Sequence, residues 1–494
     1  MQKIQLQETK LVQPSVLSLV LKLCRSLNAE RIDYCHWKSN EAISRSASGD
    51  NDLDLLISRV DAERFTEILF RLGFRKAQEN IGNQLPGVLN YYGYDADADR
   101  IIHVHVHYQL VLGNDLSKNY RIPVEQPYLD SACQVGLFRV PAPEFELVIF
   151  VLRMVLKHRT WDSIVMRQDK LSRSEGRELA YLATAENLAK VCNVLQYLPY
   201  VDHALFDACL QSLQPGCSLW KRIRTGEQLQ TALEACARYP HAKDIVSKFS
   251  HWIWLLVRIG LLRQKLRRRL ANGGLLIAIV GGDGSGKTTA IDGLHSWLSQ
   301  KFEVVKLHMG KPVWSWTTIS ILGLLKIGRM LGLYSHNEYL YRNEAKFPGY
   351  PWLIQRVCVA RDRYLTYLKA RRFSSNGGLV ILDRYSLGVL AMDAPQCRRT
   401  AKAFNKSNSF LRWLTDLEEG YYRKISIPDL LIVLKLDPEM AVKRKPEESA
   451  VSVRARSGLV WELDWSSTPA HVLDASLPKD EVLAQIKSLV WDHL

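Results

Sequence analysis

The chain has 494 residues, 47% apolar and 24% charged, which is enough for roughly two to four domains with full cores. Sixty-six Lys and Arg against 51 Asp and Glu leave a net charge of +15, a balance that suits nucleotides, nucleic acid or anionic lipid. This composition excludes a fibrous, low-complexity or disulfide-framework protein, because the nine cysteines are scattered without C-x-x-C spacing and read as reduced thiols.

The opening Met1–Gln5 lacks the charged-then-apolar layout of a signal peptide, so a cytoplasmic location is expected. Residues 15–140 mix periodicities and are expected to form an α+β domain. Leu17–Leu27 and Asp61–Leu72 have helical spacing, Asp33–Trp37 and Leu53–Ile57 are strand-like, and Ile101–Gln109 alternates with period two.

Within this region Asp52 and Asp54 lie on one face of a strand, twelve residues beyond Ser39. This arrangement resembles the nucleotidyltransferase superfamily over residues 28–115. The resemblance implies that the two aspartates hold Mg²⁺ and that the serine touches a triphosphate. Two positions depart from the family: Lys38 stands where a glycine precedes the serine, and His105 stands where a third carboxylate is expected. Histidine is a poor Mg²⁺ ligand. His103, His105 and His107 also raise zinc, but their period-two spacing is a long reach for a tetrahedral site. Nucleotidyl transfer, a binding or regulatory relic, and a purely structural strand all stay open.

Residues 141–271 read as helical, with Glu144–His158 and Ser174–Leu195 the clearest examples. Neither Trp252–Leu262 nor Val313–Gly328 is long and apolar enough to span a membrane. Residues 258–269 carry Arg258, Arg263, Lys265, Arg267, Arg268 and Arg269 without an acid. They fit either a packed helix with a solvated basic end or a contact with a membrane surface or nucleic acid, so peripheral membrane association stays open.

From residue 275 strands alternate with helices, at Leu275–Val280, Val304–His308, Leu379–Leu382, Leu430–Leu436 and Val472–Leu473. That order implies an α/β fold with a parallel sheet flanked by helices and with ligands at the strands' carboxyl ends. Gly281–Thr289 fits G-x-x-x-x-G-K-[ST] directly after the first of these strands. In such a loop Gly281, Gly284, Ser285 and Gly286 let backbone N–H groups wrap phosphate oxygens at a helix N-terminus. Lys287 then reaches the β- and γ-phosphates of ATP, the Thr288 hydroxyl ligates Mg²⁺, and Thr289 continues the helix start. Asp383 ends a later apolar strand as the second metal ligand, and Arg384 follows it to pair with phosphate.

Over residues 275–494 the chain resembles the thymidylate kinase branch of the nucleoside monophosphate kinases. The likeness is carried by Asp283–Thr289, Ala360-Arg361-Asp362-Arg363, Asp383-Arg384-Tyr385, Leu436-Asp437-Pro438-Glu439 leading to Arg444, and Val472–Ser476. It implies an ATP- and Mg²⁺-dependent phosphotransferase. Asp283 and Arg363 would face the acceptor, and the catalytic cation would come from a lid bearing Arg444, Arg454 and Arg456. His308-Met309-Gly310-Lys311-Pro312 replaces the family's Arg-Glu-Pro-Gly, with Lys311 as the substitute cation, and Gly388–Asp393 replaces its Ser-x-x-Ala-Tyr-Gln. These departures make thymidylate a poor acceptor and favour another nucleotide, a sugar or a glycan intermediate. A nucleotide-gated switch or assembly protein, and a bifunctional kinase and nucleotidyltransferase, are the alternatives.

Overall fold

A computed structural model describes residues 16–78, 85–114, 117–161, 163, 170–257, 267–333, 349–386, 395–403, 405 and 408–494. The chain divides into two compact units, Met1–Leu266 and Arg267–Leu494.

In the first unit five strands run in the order β1 (Tyr34–His36), β2 (Leu53–Ile57), β5 (Arg100–His107), β4 (Val88–Asp95), β3 (Arg75–Gln78). β2 and β5 are parallel, with Leu53 opposite Val104 and Asp54 opposite His105. The other neighbours are antiparallel. One face buries Leu53, Leu55, Val104 and Val106 together with Val20, Leu23, Phe65 and Ile68 of the helices Ser18–Ala29 and Ala62–Arg71. The opposite face carries Asp52, Asp54 and the three alternating histidines, because side chains two apart on a strand point the same way. Two short hairpins follow, β6 (Leu110–Leu112) with β7 (Tyr120–Ile122) and β8 (Cys133–Val135) with β9 (Phe138–Val140).

The helix Pro143–His158 starts on a proline with Glu144 and Glu146 in its first turn and ends on Lys157 and His158, a charge order that complements the helix dipole. It is buried almost all round, among the helices Arg173–Leu182, Ala185–Leu195, His203–Ser212 and Leu219–Ala232. The single helix expected over Ser174–Leu195 is two helices. Thr184 turns extended and its hydroxyl caps the second by accepting from Asn187 N–H, an alternative to helix continuation that threonine offers.

In the second unit the short strand β10 (Arg269–Leu270) precedes a sheet of β11 (Leu276–Gly281), β12 (Val304–His308), β13 (Leu379–Asp383), β14 (Leu430–Lys435) and β15 (Ala470–Asp474). The sheet order is β12-β13-β11-β14-β15 and every pair is parallel. The central strands are buried on both faces, as their continuous apolar runs require. The helices Lys287–Leu298 and Lys479–His493 pack together against the sheet, with Trp297 and Trp491 rings 6.1 Å apart. Tyr367 and Ala370 of the long helix Tyr350–Ser375 join Val460 and Trp465 in the core of the other face. The expected parallel α/β fold is therefore present. Among the described residues no helix is long and apolar enough to cross a membrane.

Candidate functional site

The phosphate loop leaves the carboxyl end of β11 and enters the helix Lys287–Leu298. Gly284 and Gly286 have φ of +73° and +81°, a conformation glycine adopts without a Cβ penalty. Ser285 Oγ donates to Gly282 O at 2.8 Å, and Lys287 Nζ donates to Gly281 O at 2.8 Å and Gly282 O at 2.6 Å. The ammonium thus lies over the turn. Burial pulls the Lys287 pKa down to about 8, against the attraction of Asp283. Thr288 and Thr289 are exposed on the first helical turn.

Asp383 ends β13 opposite Ile279 of β11, which sets it beside the loop. One carboxylate oxygen lies 3.4 Å from His308 Nε2, and the other is buried with no hydrogen-bond partner. Arg384 adopts a φ of +54°, a left-handed conformation rare for this residue type.

The helices Pro438–Arg444 and Ala450–Trp461 cover the loop from the β14 side. A Cβ on Gly282 would lie 2.6 Å from Ser457 Oγ and 2.9 Å from its Cα, so the second helix rests directly on the turn. Arg456 Nε pairs with Asp283 Oδ2 at 2.8 Å and its other end reaches Glu448. Arg444 donates to Gly284 O at 3.4 Å and to Ala475 O at 2.9 Å, tying the loop to the end of β15. Arg454 forms a two-pronged pair with Glu439 at 2.6 and 2.9 Å on the exposed side and is not brought to the loop.

On the other flank, Arg363 is buried and its donors go to protein: Nε to Met309 O at 3.1 Å and Nη1 to the Tyr422 hydroxyl at 2.7 Å. It therefore shapes the turn after β12. Lys311 has an exposed side chain, and its N–H donates to His308 Nδ1 at 3.1 Å. The tryptophan-rich stretch forms the helix Trp316–Met330, capped by Ser315 and docked on the long helix. Residues 334–341 at the end of that stretch, the substituted Gly388–Asp393, and most of the basic segment, 258–266, lie outside the described residues.

The first unit has its own cleft, of about 520 Å³, lined by Lys38, Ser39, Asp52, Asp54, His107, Glu178 and several arginines. Asp52 pairs with His103 at 2.9 Å, and Asp54 Oδ1 takes Lys38 Nζ at 2.8 Å and His105 Nδ1 at 3.0 Å. Burial alone would raise the Asp54 pKa, but the Lys38 ammonium and His105 hold it well below the usual carboxylate value. Burial pushes His105 down to about 4 and His107 well below the usual imidazole value, so both are neutral at pH 7. The long reach expected of the alternating histidines is not found. Cross-strand register brings donor atoms of Asp54, His105 and His107 within 4.8 Å of one another.

Ser39, expected to face a triphosphate, donates its N–H and hydroxyl to Glu178 at 3.1 and 3.4 Å. Glu178 sits on the separate helix Arg173–Leu182, and no local pattern in the sequence joins it to Ser39. The same holds for Glu448, Ser457 and Tyr422 in the second unit, none of which carries a motif of its own.

The turn, lysine, strand-end carboxylate and covering arginines define a P-loop α/β unit of the kinase-like class. No family model matches the chain. The uncharacterized ATP-binding protein YghR of Escherichia coli K12 is 25% identical over 221 residues, spanning 44% of this chain and 86% of that protein. A probable thymidylate kinase of Picrophilus torridus is 30% identical over 173 residues, spanning 35% of this chain and 67% of that protein. A solved thymidylate kinase from Candida albicans aligns at 19% identity over 45% of this chain and 94% of that one, with a TM-score of 0.29. Through these relatives the chain belongs to the thymidylate kinase-like family of P-loop proteins.

Proposed function

We propose that the second unit is an ATP- and Mg²⁺-dependent phosphotransferase whose acceptor is not thymidylate. The observation that carries this reading is the convergence of Lys287, Asp383 and Arg456 on the Gly282–Gly286 turn. The named relatives, an ATP-binding protein and a probable thymidylate kinase, agree with it.

In this reading loop N–H groups and Lys287 hold the β- and γ-phosphates in line with the acceptor oxygen. Thr288 and Asp383 would hold Mg²⁺. The buried, unpartnered Asp383 oxygen fits a cation, since an orphaned buried carboxylate oxygen is costly. When bound, the metal neutralises charge on the transferring group. Arg456 supplies the second neutralising charge from the covering helix, and that helix excludes water as it closes. Arg444 holds the loop against β15, and Arg384 faces the phosphates from the end of β13.

The acceptor would sit between Asp283, Lys311 and Arg363. A single lysine on an exposed turn meets an anion as a point charge, not as a planar fork, which supports an acceptor unlike thymidylate. A sugar, a glycan intermediate or a different nucleotide fits this site.

For the first unit, two internal partners weigh against nucleotidyl transfer. Lys38 occupies Asp54 and Glu178 occupies Ser39, where that chemistry needs metal ions and phosphate. Pyrophosphate release that depends on Asp52 and Asp54 would restore the bifunctional alternative.

The deciding experiment is a screen of nucleotides, sugars and glycan intermediates with γ-labelled ATP and Mg²⁺. Label should appear in an acceptor other than thymidylate and vanish in Lys287→Ala and Asp383→Asn. ATP hydrolysis with no labelled acceptor across the screen would favour a nucleotide-gated switch instead.

A further inference from the structure

The three donors on the polar face of β2 and β5 have the spacing of a coordination sphere. His105 Nδ1 lies 3.0 Å from Asp54 Oδ1 and 3.3 Å from His107 Nε2. For a tetrahedral ion with bonds of about 2.0–2.1 Å, neighbouring ligand atoms sit about 3.3–3.4 Å apart. The register that places Asp54 opposite His105 fixes two donors, and the strand period adds His107 on the same face. Asp54 and His107 line the cleft, which gives an ion a route in and leaves a coordination position open to solvent.

From this geometry we infer that the first unit binds one first-row transition dication, of the zinc class, through Asp54, His105 and His107. Two imidazoles and one carboxylate select against Mg²⁺ and for a nitrogen-preferring ion. The Lys38 ammonium, 2.8 Å from Asp54 Oδ1, competes for the same oxygen. The site is therefore a choice between an internal cation and an external one, and metal entry must turn Lys38 out into the cleft. There the open position faces Arg45, Lys157 and Arg177 among the lining residues, so a ligand completing the sphere would be anionic.

The test is titration of the full chain with Zn²⁺ and with Co²⁺, in excess Mg²⁺ to mask the phosphate-loop site. A Cys133→Ser, Cys192→Ser background removes the exposed thiols. One ion per chain is expected, with a Co²⁺ visible spectrum lacking thiolate charge transfer. His105→Ala and His107→Ala should each weaken binding by more than about tenfold, with circular dichroism unchanged. Lys38→Met keeps all three ligands and should bind more tightly than wild type, which a merely structural lysine would not produce. The inference is overturned if His107→Ala, or His107→Asn where alanine fails to fold, leaves affinity unchanged. It is equally overturned if Lys38→Met binds no tighter than wild type.

Discussion

Arg456 Nε stands 2.8 Å from Asp283 Oδ2, joining the helix that covers the phosphate loop to the loop itself. The pair holds an arginine at the loop before any phosphate oxygen is there to take it. Arg454, two residues earlier, points away to Glu439. Arg456→Ala is expected to lower kcat by about 10²-fold or more, the loss typical of a charge aimed at a transferring group. Arg456→Lys should recover part of it. Arg454→Ala should leave kcat and both KM values within experimental scatter, since an exposed pair contributes little. Equal losses at the two positions would mean that the helix matters only as a cover.

Lys287 is half-buried over two carbonyls, and burial brings its pKa to about 8. Triphosphate oxygens favour the charged form and raise that value again. Below pH 7 the ammonium is protonated both free and bound, so ATP binding moves no proton through it. Between about pH 8 and the bound value, binding must take a proton up. Calorimetry at pH 8.5 in buffers of different ionisation enthalpy should show this uptake in wild type and not in Lys287→Met. The same shift has a sign for stability. The unfolded chain, with the ordinary lysine value of 10.5, holds the proton more tightly than the folded one. The ligand-free protein should therefore gain stability relative to Lys287→Met as pH rises from about 8 to 10.5.

Gly282 is one of the variable positions of the loop pattern, yet its Cβ would meet Ser457 backbone at 2.9 Å. Gly282→Ala should push the helix Ala450–Trp461 off the turn and move Arg456 with it. A displacement of this kind costs on the order of tenfold to a hundredfold in rate, with the melting temperature nearly unchanged. Restoring activity in Gly282→Ala by Ser457→Gly would place the cause in that contact.

What was legible in the sequence was contiguous. The apolar runs of β11, β13 and β14 and the loop after β11 could be read because each strand is buried on both faces and the glycines, Lys287 and Thr288 adjoin one another. The pairing of Asp283 with Arg456 could not, because Arg456 sits on an amphipathic surface helix whose facing is set by packing. Nor could the choice between Arg454 and Arg456, which are two residues apart and so face different sides of one helix. In the first unit, alternation placed three histidines on one face. The register of β2 against β5 decided which aspartate each would meet, and register is a tertiary property. Thr184 was visible as a cap-forming residue, but the helical period ran through it and concealed the break.

Asp362 is fully buried on the long helix, next to Arg363, and accepts from Ser315 Oγ at 2.7 Å and Ser315 N–H at 3.3 Å. Ser315 in turn caps the helix Trp316–Met330 by accepting from Thr318 N–H. One carboxylate thus fixes the start of the tryptophan-rich helix beside the arginine that shapes the turn after β12. An Asp362→Asn side chain sets an amide donor against one of the two Ser315 donors, and losing such a bond costs about 1–3 kcal/mol. Amide exchange over residues 316–330 should accelerate. If this helix borders the acceptor, the acceptor KM should rise by about tenfold, the kinetic equivalent of about 1.4 kcal/mol, while the KM for ATP stays put. A parallel rise in both would place the helix outside the acceptor site and make Asp362 a brace for the whole unit.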